Sequence, residues 1–128
     1  MKYATVNKAV VMVALLVCGL ACSNAQAWSK HDTYWEAAYL ATHLADWGQT
    51  LDIASQCQSG NFYETNPVMG KCPSAQKVSA YFVGTALLHY GVAKMLPRKY
   101  RRIFQTGTMT MELSYITNNA SIGLNVKF

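Results

Sequence analysis

The fold follows from one predominantly apolar segment, Val78-Ser79-Ala80-Tyr81-Phe82-Val83-Gly84-Thr85-Ala86-Leu87-Leu88-His89-Tyr90-Gly91-Val92-Ala93-Lys94-Met95-Leu96. Its only basic or acidic side chains are His89 and Lys94, and Lys94 can snorkel from the end. The segment is therefore the strongest membrane signal in the chain, and we predict it to be a transmembrane helix. The predicted helix that contains this segment starts earlier, at Pro73-Ser74, because proline suits the first turn of a helix. It ends before Pro97, because the residue that precedes a proline is pushed out of the α region.

Two further helices flank this segment. The first is predicted from about Asp32 to Ser55, with Asp32 as a cap or first-turn acid, and the third from Arg98 to about Asn118-Asn119. The tail Ile122–Phe128 alternates apolar and polar residues, and we expect it to be a short extended segment packed on the helices. The sequence therefore predicts an all-α fold, a small three-helix bundle with an extended C-terminal tail.

The beginning of the chain is typical of a secretory signal. Two lysines precede the apolar run Ala9–Ala21, and small residues follow at Ala25 and Ala27. We therefore predict a signal peptide over residues 1–27, cleaved after Ala27, and one helical domain over residues 28–128. The alternative is an uncleaved N-terminal anchor that crosses the membrane.

The composition narrows the class of protein. Of 128 residues, 52% are hydrophobic and 13% are charged, against a usual charged share of about 25%. These values exclude a disordered chain, a multidomain enzyme, a coiled coil and a disulfide-dense toxin. A basic cluster is formed by Arg98, Lys99, Arg101 and Arg102. Since the basic charge is modest and clustered and no nucleic-acid-binding module accompanies it, we expect no nucleic acid as a partner. The low charged share and the long apolar segment instead predict membrane lipid as the partner, with an envelope protein as a further candidate.

Two cysteines remain after the predicted signal, Cys57 and Cys72, on either side of a polar, turn-rich stretch. An even count in an exported chain favours a disulfide. Closing a loop of about 15 residues would stabilise the fold by roughly 3 kcal/mol. The alternative is a pair of free thiols in a reducing compartment.

A polar stripe runs along the first predicted helix at spacings of three and four residues, which places its members on one face. The stripe consists of Asp32, Glu36, Tyr39, His43, Asp46 and Thr50. The opposite side carries Ala37, Ala41 and Ala45, a small-residue pattern that predicts close helix packing. Because charges against lipid are costly, we expect the stripe to face an interior shared with His89 and Glu112.

Four of these side chains are also candidate metal ligands. His43 and Asp46 are three residues apart, so a carboxylate can bind the metal or orient the imidazole. His89 and Glu112 could complete a mixed nitrogen and oxygen site. A divalent metal is thus the alternative to having no cofactor, whereas no nucleophile motif, P-loop or dinucleotide fingerprint occurs.

Two motifs precede the apolar helix, Asp46-Trp47-Gly48-Gln49-Thr50 and Glu64-Thr65-Asn66-Pro67. The motifs and the helix together cover about residues 46–96. This pattern resembles small bacterial and phage helical membrane proteins in which an Asp-plus-Thr helix precedes a Glu-x-Asn-Pro loop. The resemblance implies a helical membrane protein without an assigned reaction. Physically, Asn66 before Pro67 favours an extended turn, and Glu64 could accept backbone donors there.

These observations predict an exported, membrane-associated protein that acts by binding or as a structural component of the cell envelope, including a phage-encoded envelope or exclusion factor. It would reside in the inner membrane facing the periplasm, or in the periplasm. One alternative is a small metal-dependent membrane enzyme that uses His43, Asp46, His89 and Glu112. Another is a soluble periplasmic helical binding module.

Overall fold

The computed structural model describes residues 27–128, and this part of the chain is an all-α bundle of three long helices. Helix α1 spans Lys30–Gln56 and continues into a 3-10 turn at Cys57–Ser59. Helix α2 spans Ala75–Met95, and helix α3 spans Arg98–Ser121. The predicted three-helix bundle is confirmed.

Local capping sets the helix boundaries. Ser29 caps α1: its hydroxyl accepts the Asp32 N–H at 3.2 Å, and the Asp32 carboxylate accepts the Ser29 N–H at 2.9 Å. The helix therefore begins before the predicted start at Asp32. Ser74 caps α2 more simply: its hydroxyl accepts the Lys77 N–H at 3.3 Å. At the other end, Leu96 is extended ahead of Pro97, as the sequence predicts.

Helices α1 and α3 pack side by side in a fixed register, and α1 also packs against α2. Three side-chain contacts between α1 and α3 join residues that are 69 positions apart: Asp32 to Arg101, Glu36 to Gln105 and His43 to Glu112. A constant offset means that the two helices run parallel, because each step along one matches a step along the other. On each helix the residues that make these contacts follow the three- and four-residue spacing of one helix face, which keeps the partners opposite each other over three turns.

The apolar part of the interior is small and lies towards the loop end of the bundle. It centres on Met69, Val78 and Phe82, with Trp47 and Leu51 packed against it. The rest of the interior is polar, so the bundle is held together by hydrogen bonds and ion pairs as well as by apolar packing.

The alanine face of α1 does not form the helix interface that the small-residue pattern predicts. Ala37 and Ala41 are exposed and Ala45 is half-buried. This prediction is wrong because the polar stripe finds partners on both other helices, which draws that face inward and turns the alanines outward.

A disulfide closes the loop between α1 and α2, and the C-terminal tail packs back on α1. Cys57 and Cys72 are joined, with their Cα atoms 5.6 Å apart, which confirms the predicted bridge. The tail packs along α1: the Lys127 N–H donates to the Gly48 carbonyl at 3.1 Å, and the Asn125 N–H donates to the buried Asp52 carboxylate at 2.9 Å.

Within residues 27–128, no helix combines the length and the sustained apolarity that crossing a bilayer requires. The transmembrane helix predicted over Val78–Leu96 is therefore not found, since polar residues such as His89 and Lys94 interrupt its apolar run. The predicted signal segment lies outside the described residues, except for its last residue, Ala27.

Candidate functional site

The first layer of the polar interior is an ion pair near the start of α1. Arg101 Nη1 donates to Asp32 Oδ2 at 2.9 Å, and both side chains are 1% exposed. Arg101 also donates to the carbonyls of Ala93 and Leu96, where α2 ends. Burial would raise the pKa of Asp32, but hydrogen bonds from Ser29 and Arg101 outweigh it and hold the pKa below its usual value. One guanidinium thus joins all three helices.

The second layer is centred on His89. Its Nδ1 lies 3.0 Å from Glu36 Oε1, and its Nε2 lies 2.8 Å from Thr108 Oγ1. Gln105 donates to the second oxygen of Glu36 at 2.8 Å. The Tyr39 ring stacks on the imidazole of His89, with centroids 3.5 Å apart. Burial would raise the pKa of Glu36, but the bonds from His89 and Gln105 outweigh it and lower that pKa.

The third layer is centred on His43. Its Nδ1 lies 2.7 Å from Glu112 Oε1, and its Nε2 lies 3.1 Å from both the Phe82 carbonyl and Thr85 Oγ1. A carbonyl only accepts, so Nε2 carries a proton. Burial would lower the pKa of His43, but the bonds to Glu112 and to the Phe82 carbonyl outweigh it and raise the pKa. The geometry therefore favours an imidazolium beside a carboxylate.

Asp46 lies one turn beyond His43 and has no cationic partner as close. Asn119 Nδ2 donates to its Oδ1 at 3.2 Å. Burial, followed by the negative charges of Glu112 and Glu64, raises the pKa of Asp46 to about 7, against a partial opposing effect of His43. This carboxyl group therefore exchanges its proton at a higher pH than an ordinary aspartate does.

A cavity of about 610 Å³ opens beside the third layer. Its walls combine acids, a histidine and aromatic rings from the helices and from the loop that the disulfide closes. Its polar and aromatic wall residues include Tyr39, His43, Asp46, Thr50, Tyr63, Glu64, Glu112 and Tyr115. A cavity of this size and mixed lining is typical of sites for small molecules.

The structure divides the four candidate metal ligands between two layers. His43, Asp46 and Glu112 line the cavity, whereas His89 is paired with Glu36 in the neighbouring layer. Among residues 27–128, no group of three or more His, Cys, Asp or Glu side chains has an arrangement that could hold a metal ion. The sequence predicted one group of four ligands, but in the structure His43 contacts Glu112 whereas His89 contacts Glu36.

The remaining members of the polar stripe and the loop motif also meet at the cavity. Thr50 is buried and lines it. Glu64 Oε1 accepts the Asn66 N–H at 2.7 Å, and Asn66 Oδ1 accepts the Val68 N–H at 3.0 Å. Pro67 follows in the cavity wall. Glu64 therefore holds the loop in shape and adds negative charge to the cavity.

The basic cluster is divided as well. Arg98, Lys99 and Arg102 are exposed, but Arg101 is buried in the first layer. Sequence analysis missed this role, along with those of Gln105 and Thr108. The available signal was a second polar stripe on the third helix, Arg101, Gln105, Thr108 and Glu112, with the same spacings of four, three and four as the stripe on the first helix.

No protein-family model matches the chain, and no curated protein or solved structure shows significant similarity to it. The resemblance to small bacterial and phage membrane proteins therefore stays a prediction.

Proposed function

We propose that the protein is an exported, membrane-associated protein with a binding role in the cell envelope. The observation that carries the proposal is the radial sorting of its side chains in residues 27–128: the acids lie inside, whereas all lysines and arginines but Arg101 and many large apolar residues lie outside.

The charges are sorted by sign. The chain has six Asp and Glu residues, all of them among the described residues, and each is buried or half-buried. Of the Lys and Arg residues in residues 27–128, all but Arg101 are exposed. Lys127 is tied to the buried Asp52 carboxylate at 2.6 Å. No acidic side chain of residues 27–128 is fully exposed, and Lys127 is the only exposed Lys or Arg there in an ion pair with one. The surface of this part of the chain is therefore positively charged, a property that favours anionic surfaces.

Large apolar side chains are exposed on the outer faces of all three helices. Leu87 and Leu88 on α2 are 69% and 66% exposed, and Ile103 on α3 is 61% exposed. Leu44 of α1 also points outward. Exposed apolar surface marks a contact site for a membrane or a protein where it is contiguous, and a bilayer is a surface that such side chains suit. Hydropathy averaged over a whole helix mixes this outer face with the polar inner face.

The binding role rests on the cavity. Its walls are acidic and aromatic, with Asp46, Glu64 and Glu112 near one another and Tyr63 and Tyr115 among the rings. The disulfide-closed loop forms one wall, so the ligand site depends on an oxidised chain. A binding role requires no catalytic motif, and no nucleophile motif, P-loop or dinucleotide fingerprint occurs in the sequence.

Vesicle flotation tests the membrane part of the proposal. Replacing two outward leucines with glutamine, L87Q/L88Q, should lower the partition of the full chain into lipid vesicles by roughly tenfold or more, because each side chain loses apolar area that lipid would cover. The matched control is V68Q/F128Q, since Val68 and Phe128 are exposed to a similar degree, 65% and 80%, away from the helix faces.

The expected result is reduced flotation of the leucine variant and unchanged flotation of the control. An equal effect of both pairs would show that the helix faces do not contact lipid. Absence of the unaltered chain from every vesicle fraction would refute membrane association altogether.

A further inference from the structure

One end of the bundle brings together the start of α1, the end of α2 and the start of α3. Lys94 Nζ lies 4.3 Å from the ring centroid of Trp28, and the rings of Trp28 and Tyr90 are 5.6 Å apart. Arg102 is hydrogen-bonded to His31 at 3.2 Å. These contacts show that the polar and aromatic residues of the three segments form one continuous surface, which we term the basic end.

The basic end is positively charged without compensation. Its exposed cations are Lys30, Lys94, Arg98, Lys99 and Arg102. The carboxylates nearest to it, Asp32 and Glu36, are buried and already bound to Arg101 and His89. Arg101 neutralises Asp32, and the exposed charges of the basic end are all positive.

Aromatic and apolar side chains are interleaved with these cations. Tyr34 and Tyr100 are 74% and 56% exposed, and Trp28 is half-buried beneath Lys94. Trp and Tyr favour the boundary between lipid headgroups and acyl chains, where one part of the ring is apolar and the other polar. Exposed Met95 and Ile103 continue the surface towards the apolar helix faces.

We infer that the basic end binds the headgroups of anionic phospholipids, with its aromatic rings at the headgroup boundary and the outer helix faces towards the acyl chains. This inference rests on the proposed membrane association and adds the lipid class. Charge complementarity argues for it: phosphate groups are the anions that a bilayer presents, and clustered Lys and Arg side chains bind them. Each such cation near an anionic surface is worth about fivefold in binding.

The test compares vesicles of phosphatidylcholine alone with vesicles that also contain phosphatidylglycerol, using the full chain isolated without reductant. We expect the unaltered protein to prefer the anionic vesicles and to be released from them by salt. The variant R98Q/K99Q/R102Q should bind anionic vesicles about 100-fold more weakly, from three fivefold losses. Its binding to neutral vesicles and its circular dichroism spectrum should not change.

The matched control is K71Q/K77Q, which removes exposed cations near the opposite end of the bundle and should have a much smaller effect. Equal binding of the unaltered chain to both kinds of vesicle would overturn this inference and leave membrane association standing. Absence of binding to either kind would refute the proposed function itself. Binding to duplex DNA but not to anionic vesicles would identify a nucleic acid, and would also overturn the inference.

Discussion

Asp32 and Arg101 lie 69 residues apart in the chain and form an ion pair at 2.9 Å with both side chains 1% exposed. The same offset recurs between Glu36 and Gln105. A pair this deeply buried costs desolvation energy, and it repays that cost only because each group has further hydrogen bonds. Ser29 supplies them to Asp32, and the end of α2 accepts them from Arg101. The pair thus fixes the register between parallel helices.

Removing Arg101 should destabilise the fold far more than removing an exposed arginine does. The variant R101L leaves the Asp32 carboxylate buried without its cation, so we expect the free energy of unfolding to fall by about 3–5 kcal/mol. Urea denaturation followed by circular dichroism measures the loss. The control is R102L, one residue away but exposed, which should change stability by no more than about 0.5 kcal/mol. Similar losses in both variants would contradict the assigned role of Arg101.

Asp46 should make the free energy of unfolding depend on pH in the range from acid to neutral. Its pKa is about 7 in the folded chain, compared with an ordinary value of 3.8. The folded state therefore binds the proton more tightly, and the free energy of unfolding decreases as the pH rises from about 4 to 7. The variant D46N removes this cost. It should match the unaltered chain at pH 4 and be more stable at pH 8, by at most about 4 kcal/mol.

Asp52 provides the opposite control. Burial would raise its pKa, but hydrogen bonds from Lys127, Asn125 and Gln56 outweigh it and hold the pKa below its usual value. Its contribution to stability is present above the pKa of the unfolded chain and is lost as the pH falls. The variant D52N should therefore lose stability at neutral pH, where D46N gains it. Urea midpoints across this pH range that move in the same direction for both variants would refute the assignment.

The disulfide should contribute a measurable share of stability. Cys57 and Cys72 are 15 positions apart, and a loop of this length corresponds to about 3 kcal/mol in the chain-entropy model. The variant C57S/C72S should lower the free energy of unfolding by that amount and open the cavity wall that the loop forms. In urea denaturation, adding reductant should destabilise the unaltered chain but not the variant. A midpoint of the unaltered chain that ignores reductant would show that the bridge does not stabilise the fold.

Much of the fold could be predicted because its signals are local. Prolines at positions 73 and 97 mark the limits of α2, and the cysteine count indicates the bridge. The orientation of α1 about its own axis was harder to predict, because the alanine spacing favoured packing of one face and the cost of placing charges against lipid favoured burial of the other. In the structure the charged face lies inside, since partners on α2 and α3 satisfy it.

The site was predicted in part, and what was missed is pairwise. The polar stripe on α1 identifies Glu36, His43 and Asp46 as a set, because three- and four-residue spacing fixes a helix face. It does not say which partner each group meets. That depends on the register between helices, by which Glu36 meets His89 and His43 meets Glu112. The outcome is a Glu36–His89 pair in one layer and, in the next layer, a His43–Glu112 pair with Asp46 beside it.

The C-terminal tail approaches α1 closely at Gly48. A Cβ atom at Gly48 would overlap Val126 Cγ1 and come within 3.2 Å of the Lys127 backbone. The variant G48A should therefore push the tail away and weaken the hydrogen bond from Lys127, at a cost of about 1–3 kcal/mol. Alanine favours helix over glycine by up to about 1 kcal/mol, so the net decrease in the free energy of unfolding, measured by urea denaturation, should be smaller.

The control is G84A, whose Cβ meets nothing within 4 Å and which should stabilise the chain. Adding V126A should restore part of the loss, and carboxypeptidase should trim the tail of G48A faster than that of G84A. Equal stabilisation by G48A and G84A would show that the tail does not depend on this close approach.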